Sequence, residues 1–401
     1  MRTPHSGWLD DSGPHRERLV DDLVRAGAIR SDPVRTAFAT VPRELFVPRH
    51  ALTHGVASVY RNEVLVTVAG RGGVALSSSS QPQLMAAMLE SLQVAPGMRV
   101  LEIGTGTGYN AALLATLVGP RGRVVSVEVD PGVAEAARSA LAVSGLGVDV
   151  LTGDGAAGAP AQAPFDRVIV TASADGIPRA WLDQVVEGGL VEVPLRLNRD
   201  ETQAVSTLRR HGARLESVEV LTGRFMPLRP DDRRDGPSPA QLPLLTSVVD
   251  AADAVRLAGA AVAGLDATDR ERLVGSLRVE RRQALGVTAP PWDLVMFVSL
   301  EVPSGLLVSR WPELSVGVLS PDGGLALVEG RRTDGHVPRP LHVVAHGSSS
   351  AEAELMTVVG RWVELGCPGV RDLVLEVEVT GATGDVSHRW GEPSLGARSG
   401  Y

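Results

Sequence analysis

Two clusters in the chain carry residue types suited to chemistry. The first is Val100-Leu-Glu-Ile-Gly-Thr-Gly-Thr-Gly-Tyr-Asn110, where Gly104, Gly106 and Gly108 alternate with Thr105 and Thr107 behind an acid, Glu102. Glycines at alternate positions let the backbone turn sharply and bring main-chain N–H groups against a ligand. A dinucleotide loop would put its third glycine where Tyr109 stands, so the spacing points away from a pyrophosphate. Glu128 ends the next apolar run and suits a ribose diol, because both hydroxyls can donate to one carboxylate. Asp154, in Gly153-Asp-Gly155, stands where it can accept from the amino group of a base. The second cluster is Ser77-Ser-Ser-Ser80 ahead of Gln81-Pro82. By composition it reads as a solvated loop or helix cap, yet a hydroxyl beside free N–H groups can also meet a carboxylate.

These residues need a scaffold, and the hydrophobic pattern supplies one. Val100 to Ile103 reads as a short buried strand, Gly104 to Gly108 as a turn, and Asn110 onward as a helix. Val124 to Val129 (interrupted by Glu128), Val148 to Leu151, Val168 to Ala172 and Leu190 to Leu195 are further strands, with a helix predicted over 131–143 and a short one over 181–186. Strands alternating with helices at this spacing predict a doubly wound parallel α/β sheet, with Gly104, Glu128 and Asp154 in one row of strand tips. Ahead of it, Leu19, Val20, Leu23 and Val24, then Val34, Ala37, Phe38 and Val41, mark two amphipathic helices that cover the ligand. Tyr60 to Val68 reads as a strand or extended arm, 69–73 as a hinge, and Gln83 to Leu92 as a helix after Pro82.

Composition bounds what the site can serve. The chain has 401 residues, enough for about two domains. Its formal charge is −8, with both signs scattered and no basic face, which argues against nucleic acid. All 39 cationic side chains are Arg. Cys367 is the single cysteine, so no internal disulfide is possible, and no Cys/His cluster has zinc spacing. His336, His342 and His346 lack a fourth ligand at suitable spacing, so no metal is expected. With no apolar leader and no run of membrane-spanning length, the expectation is a cytoplasmic protein without a membrane partner.

The ordered set Ser80-Gln-Pro82, Val100 to Tyr109, Gly153-Asp-Gly155, Ala163-Pro-Phe-Asp166, Gly188-Gly189 and Val193-Pro-Leu195 resembles the protein-L-isoaspartate O-methyltransferase family. The opening Val41-Pro-Arg-Glu-Leu-Phe-Val-Pro48 matches too, and the similarity covers roughly residues 15 to 229. It implies a class I, Rossmann-like methyltransferase using S-adenosyl-L-methionine. It further implies that Gly104, Gly106 and Gly108, with Thr105, Thr107 and Glu102 about them, hold the methionine end, Glu128 the ribose, and Asp154 with Gly155 the adenine. Ser80 would face the substrate carboxylate, flanked by Tyr60, Ser79 and Gln81 on the substrate side. This sequence has Ser78-Ser-Ser80 where the family usually has Thr-Ile-Ser, so assigning the role to Ser80 rests on the alignment of Gln81-Pro82. A carboxylate with a pKa near ~4 is already ionised at neutral pH, so it can attack a methyl group without a strong base. Rate then comes from alignment and from excluding water.

The expected organisation is a methyltransferase domain over 1–229, a charged proline-rich linker over 230–241, an α+β accessory domain over 242–390 and a loose tail over 391–401. Within the extension, a helix is expected over 248–265 and 352–365, strands over 292–302 and 373–379, and a hairpin from 314–319 and 325–328. The extension resembles longer family members that tailor ribosomally made peptides such as lanthipeptides and graspetides, where an Asp of the precursor is esterified and collapses to aspartimide or isoaspartate. That makes a modified precursor peptide the expected partner. General repair of isoaspartyl proteins and a non-catalytic peptide-binding module are the alternatives, and oligomeric state is not legible.

Overall fold

The computed structural model describes residues 6–69, 75–197, 202–229, 244–248, 254–258, 265–276, 280–302, 306–310, 313–331 and 338–391. Four helices open the chain: α1 (Ser6–Arg25), α2 (Asp32–Thr40), α3 (Pro48–His54) and α4 (Val56–Val59). Ser31 stands at the α2 N-cap with Pro33 in the first turn, and Val34, Ala37 and Phe38 form the buried stripe. An antiparallel hairpin follows, β1 (Leu65–Ala69) with β2 (Ala75–Ser79), then helix α5 (Pro82–Leu92). Four consecutive serines therefore form mostly strand rather than loop, because β1 supplies backbone partners down to Ser79. The N-cap of α5 is Gln81, not a serine. The expected hinge lies outside the described residues except for Ala69, which ends β1.

The catalytic-type sheet is built from β3 (Arg99–Ile103), α6 (Tyr109–Val118), β4 (Arg123–Glu128), α7 (Pro131–Ser144), β5 (Asp149–Thr152) and β6 (Phe165–Val170). It continues through β7 (Ile177–Pro178), α8 (Arg179–Gln184), β8 (Val185–Arg196), β9 (Gln203–His211) and β10 (Arg214–Thr222). Strand order begins β5-β4-β3-β6-β8, all parallel. Order reverses beside β3, so a crevice opens at the carboxyl ends of β3 and β6, where ligands bind in open α/β sheets. Beyond β8 the sheet turns antiparallel through β9 and β10. The expected parallel core is present inside a longer, mixed sheet.

The second half contains β11 (Leu244–Val248), β12 (Ala254–Ala258), α9 (Ala267–Ser276), β13 (Arg281–Ala289), α10 (Pro291–Glu301), β14 (Leu306–Arg310), β15 (Glu313–Leu319) and β16 (Leu325–Arg331). It ends with β17 (Arg339–His346), α11 (Ser350–Glu364), β18 (Leu373–Glu378) and β19 (Thr383–Trp390). Seven strands form an antiparallel sheet ordered β11-β12-β14-β15-β16-β17-β13. The hairpin of β15 and β16 and the helix α11 lie where the pattern predicts. Two expectations are corrected. Where a helix was expected over 248–265, the described residues hold the end of β11 and all of β12. The alternation of Val255 and Leu257 with Arg256 carries a period of two that the alanine content obscures. The expected strand at 292–302 is α10, which starts on Pro291 and buries Leu294, Val295, Met296, Phe297 and Val298. Met296 enters the core of the first sheet while its neighbours enter that of the second, so α10 is apolar all round and shows no helical stripe. The expected linker and the tail beyond Gly391 fall outside the described residues.

The sheet does not end where the accessory domain was expected to begin. Strand β18 pairs with β10, β19 with β18, and β7 with β19, so the chain's end completes the first sheet. Leu373, Leu375, Val377 and Val379 are buried in the same core cluster as Leu101 and Ile103. Each such side chain is worth about 1.5–3 kcal/mol of burial, and four together rival the ~5–15 kcal/mol by which a domain is stable. Ending the chain after residue 240 is expected to leave an aggregating or partly unfolded protein by circular-dichroism melting. A soluble truncation melting within a few degrees of the full chain would show that the extension is a separable domain.

Candidate active site

Strand β3 ends at Ile103, and the chain turns through Gly104, Gly106 and Gly108 with φ of 93°, 53° and 87°. A Cβ on Gly104 would lie 2.5 Å from Thr171 Oγ1, and that hydroxyl donates to the carbonyl of Gly104 at 2.6 Å. A Cβ on Gly106 would point toward the carbonyl of Ser78, 3.4 Å away, so the serine strand lies across the open side of the loop. Gly108 does different work. It caps α6 in a left-handed conformation, and a Cβ there would rest against Ala137 and Leu141 of α7. Glu128, at the tip of β4, accepts from the N–H of Gly106 at 2.9 Å and from that of Asp130 at 3.1 Å. One carboxylate thus fixes the middle of the loop to the next strand.

Beneath the loop, Glu102 is fully buried. It accepts from Asn110 Nδ2 at 2.8 Å and from the Ser126 hydroxyl, and Ser126 also meets Thr105 Oγ1 at 2.6 Å. Burial pushes the Glu102 carboxyl up to about 7, against the pull of the Ser126 and Asn110 hydrogen bonds. Glu102 therefore braces the loop from behind rather than facing the hollow. Asp154 is exposed at the end of β5, with one oxygen capping Ala156 N–H. Gly155 is buried where a Cβ would meet Ile103 and Leu228.

The serine arm is held by a side chain that the motif reading left without a role. Arg43 is fully buried. Its Nη1 donates to the carbonyls of Val59 at 2.9 Å and Arg61 at 3.2 Å. Its Nη2 donates to the carbonyls of Glu63 at 3.3 Å and Ser80 at 3.0 Å and to Ser79 Oγ at 3.2 Å. The guanidinium also lies over the Tyr109 ring, 5.8 Å from its centre, at the first turn of α6. Burial lowers its pKa to about 10, leaving it charged at any physiological pH. The fork geometry of arginine matches several carbonyls at once, which an ammonium on a flexible stem cannot.

Of the residues expected on the substrate side, Ser79 is buried against Arg43, and Ser80 is half-buried with its carbonyl held by the same guanidinium. Gln81 Nε2 donates to the carbonyl of Asn62 at 3.2 Å, and Asn62 in turn bridges to Gln83. Tyr60 does not face the hollow. It is buried, its hydroxyl donates to Glu44 and accepts from the N–H of Arg43 at 3.2 Å, so it braces the arm from below. Sequence reasoning missed Arg43 and Thr171. Arg43 sits inside the Val41 to Pro48 match, and Thr171 ends the apolar run of β6; only the fold shows what they touch. Among the described residues, no group of three or more His, Cys, Asp or Glu could hold a metal, and no helix is long and apolar enough to cross a membrane.

A positive-φ glycine loop after β3, a buried acid at the tip of β4 and an exposed acid after β5 fit a sulfonium nucleoside rather than a pyrophosphate. With the parallel core sheet, these features define a class I S-adenosylmethionine-dependent methyltransferase. The family model described as Protein-L-isoaspartate(D-aspartate) O-methyltransferase (PCMT) matches residues 14–233. The protein-L-isoaspartate O-methyltransferase of Hyperthermus butylicus is 39% identical over 233 residues, covering 55% of this chain and 92% of the relative. That of Ignicoccus hospitalis is 41% identical over 181 residues, covering 45% and 81%. A solved protein-L-isoaspartate O-methyltransferase superposes with a TM-score of 0.52 at 26% identity, covering 93% of this chain and 99% of its own. The chain belongs to the protein-L-isoaspartate O-methyltransferase family.

The raised pKa of Glu102 has a consequence for stability. An acid whose folded pKa exceeds its unfolded value stabilises fully below the unfolded value, here 4.5, and loses that contribution as pH rises through about 7. Urea unfolding is expected to give a lower midpoint at pH 8 than at pH 5.5. Glu102→Gln, which carries no charge to bury, is expected to shrink that difference. An unchanged difference in the variant would show that Glu102 is not the titrating group.

Proposed function

We propose that the enzyme methylates the free carboxylate of isoaspartyl residues in polypeptides. The observation that carries this reading is the arm: Ser80 is presented by a strand whose Ser78 carbonyl faces the open side of Gly106, while Arg43 holds its backbone. S-adenosylmethionine supplies an electrophilic methyl group on a sulfonium. Everything else falls to this chain's residues. The Ser80 hydroxyl donates to one carboxylate oxygen and leaves the other to attack. As a neutral donor, it orients the nucleophile without withdrawing its charge. The arm and the N-terminal helices shut out water, which would hydrate the carboxylate and weaken its attack. No proton need be removed first, so the absence of a nearby general base among these residues costs nothing.

Modification of a precursor peptide is the second reading, and it rested on the long extension. A solved isoaspartate methyltransferase aligns over nearly the whole of this chain, and the extension's last strands complete the catalytic sheet. Neither observation favours a peptide-docking domain, so isoaspartyl polypeptides are the better-supported substrate class.

Mass spectrometry of matched peptides holding isoaspartate or aspartate at one position, incubated with cofactor, tests the proposal. Methyl ester is expected on the isoaspartyl peptide alone. Ser80→Ala is expected to cut that rate by about a hundredfold while leaving S-adenosylhomocysteine affinity within about threefold. Preference for the aspartyl peptide, or near-normal turnover by the variant, would refute the assignment.

A further inference from the structure

At the rim of the crevice, the segment Met226–Leu228 runs beside the loop that follows β6. Ser173 N–H donates to the carbonyl of Met226 at 2.7 Å and Leu228 N–H to the carbonyl of Ser173 at 2.8 Å. Leu228 also reaches toward Gly155 in the row of strand tips, its Cδ1 lying 3.3 Å from where a Cβ on Gly155 would stand. Arg229 comes next, and its Nη2 donates to the carbonyl of Leu76 in β2, 3.4 Å away. Its guanidinium therefore reaches the strand that carries Ser79 and leads into Ser80, from a segment that lies along the loop after β6.

Donors at this junction are desolvated with nothing to donate to. Arg229 Nη1 is buried without a hydrogen-bond partner, and so is the hydroxyl of Ser173, a residue only 1% exposed. An unpaired buried donor costs about 1–3 kcal/mol, more on a charged group, so natural sites seldom keep one without an occupant. The neighbouring Arg196, whose backbone N–H bonds to the carbonyl of Ala174, also has a buried Nε without a partner, but its charge is matched by Asp175.

We infer that Arg229 receives a carboxylate presented in the crevice between the serine arm and the loop after β6. Two carboxylates meet there: that of the substrate side chain and that of the cofactor's methionine end. Guanidinium is the natural partner of either, because its paired N–H groups match two carboxylate oxygens. The substrate assignment rests on the proposed isoaspartyl reading; the cofactor assignment does not. A cation touching the nucleophile would lower its reactivity, so for the substrate the gain appears in binding rather than in the chemical step.

Full-length Arg229→Met and Arg229→Lys, each checked by thermal melting, are compared with the parent on two charged–neutral ligand pairs. S-adenosylhomocysteine and 5′-methylthioadenosine, which lacks the carboxylate, are titrated by calorimetry. The isoaspartyl peptide and its carboxamide analogue are compared by KM and by inhibition constant. Arg229→Met is expected to weaken the charged member of one pair by about tenfold or more, leaving the neutral member within about twofold, with kcat little changed and partial recovery in Arg229→Lys. Loss confined to the peptide pair makes the substrate the source of the carboxylate; loss confined to the nucleoside pair makes it the cofactor. Equal shifts in both members of each pair would mean that Arg229 only pins the arm through Leu76 and would overturn the inference, as would no shift at all. Should the parent enzyme ignore the isoaspartyl peptide, the proposed substrate falls, and the nucleoside pair alone decides the role of Arg229.

Discussion

One buried cation organises the catalytic end of the molecule. Arg43 gathers carbonyls from the end of α4, from the segment after it and from the serine arm, and lies over the Tyr109 ring in the first turn of α6. A guanidinium taken out of water costs several kcal/mol unless its donors are satisfied. Here they are met by carbonyls and a hydroxyl, so the cost is recovered only in the geometry that holds Ser79 and the carbonyl of Ser80 against the guanidinium. Tyr60 and Glu44 buttress the same junction from below. The arrangement trades stability for registration: any displacement of the arm would leave a charged group buried without acceptors.

The sheet supplies the opposite wall with little freedom. Glu128 ties the N–H of Gly106 to the tip of β4, Thr171 ties the carbonyl of Gly104 to the end of β6, and Glu102 with Ser126 and Asn110 supports the turn from behind. The chain's last strands extend this sheet and press on the loop after β6. A Cβ on Gly176 would lie 2.7 Å from the carbonyl of Gly384, and Arg179 N–H donates to the carbonyl of Ala382. The extension therefore packs against the backbone that follows β6.

Much of this was legible in the residues. The glycine loop, Glu128 and Asp154 follow the strand tips in the order that the parallel sheet requires, and the apolar stripes around Leu19 and Phe38 mark helices that are present. What stayed hidden depended on partners far away in the chain. The family resemblance puts Tyr60 on the substrate side, yet Glu44 and Arg43 claim its hydroxyl. Glu102 was placed at the cofactor because it adjoins the glycines, yet side-chain alternation turns it into the core. Helix α10 read as a strand because two cores bury it on all sides, which erases the period that would mark a helix. The return of β18 to β10 joins residues some 160 positions apart and leaves no local trace.

The claim that Arg43 holds the serine arm is tested most directly by amide hydrogen exchange over residues 75–81 in Arg43→Lys, which keeps the charge and loses the fork. The account predicts exchange about tenfold faster or more across the arm, with residues 104–108 unaffected. Unchanged protection of the arm in a folded variant would contradict it.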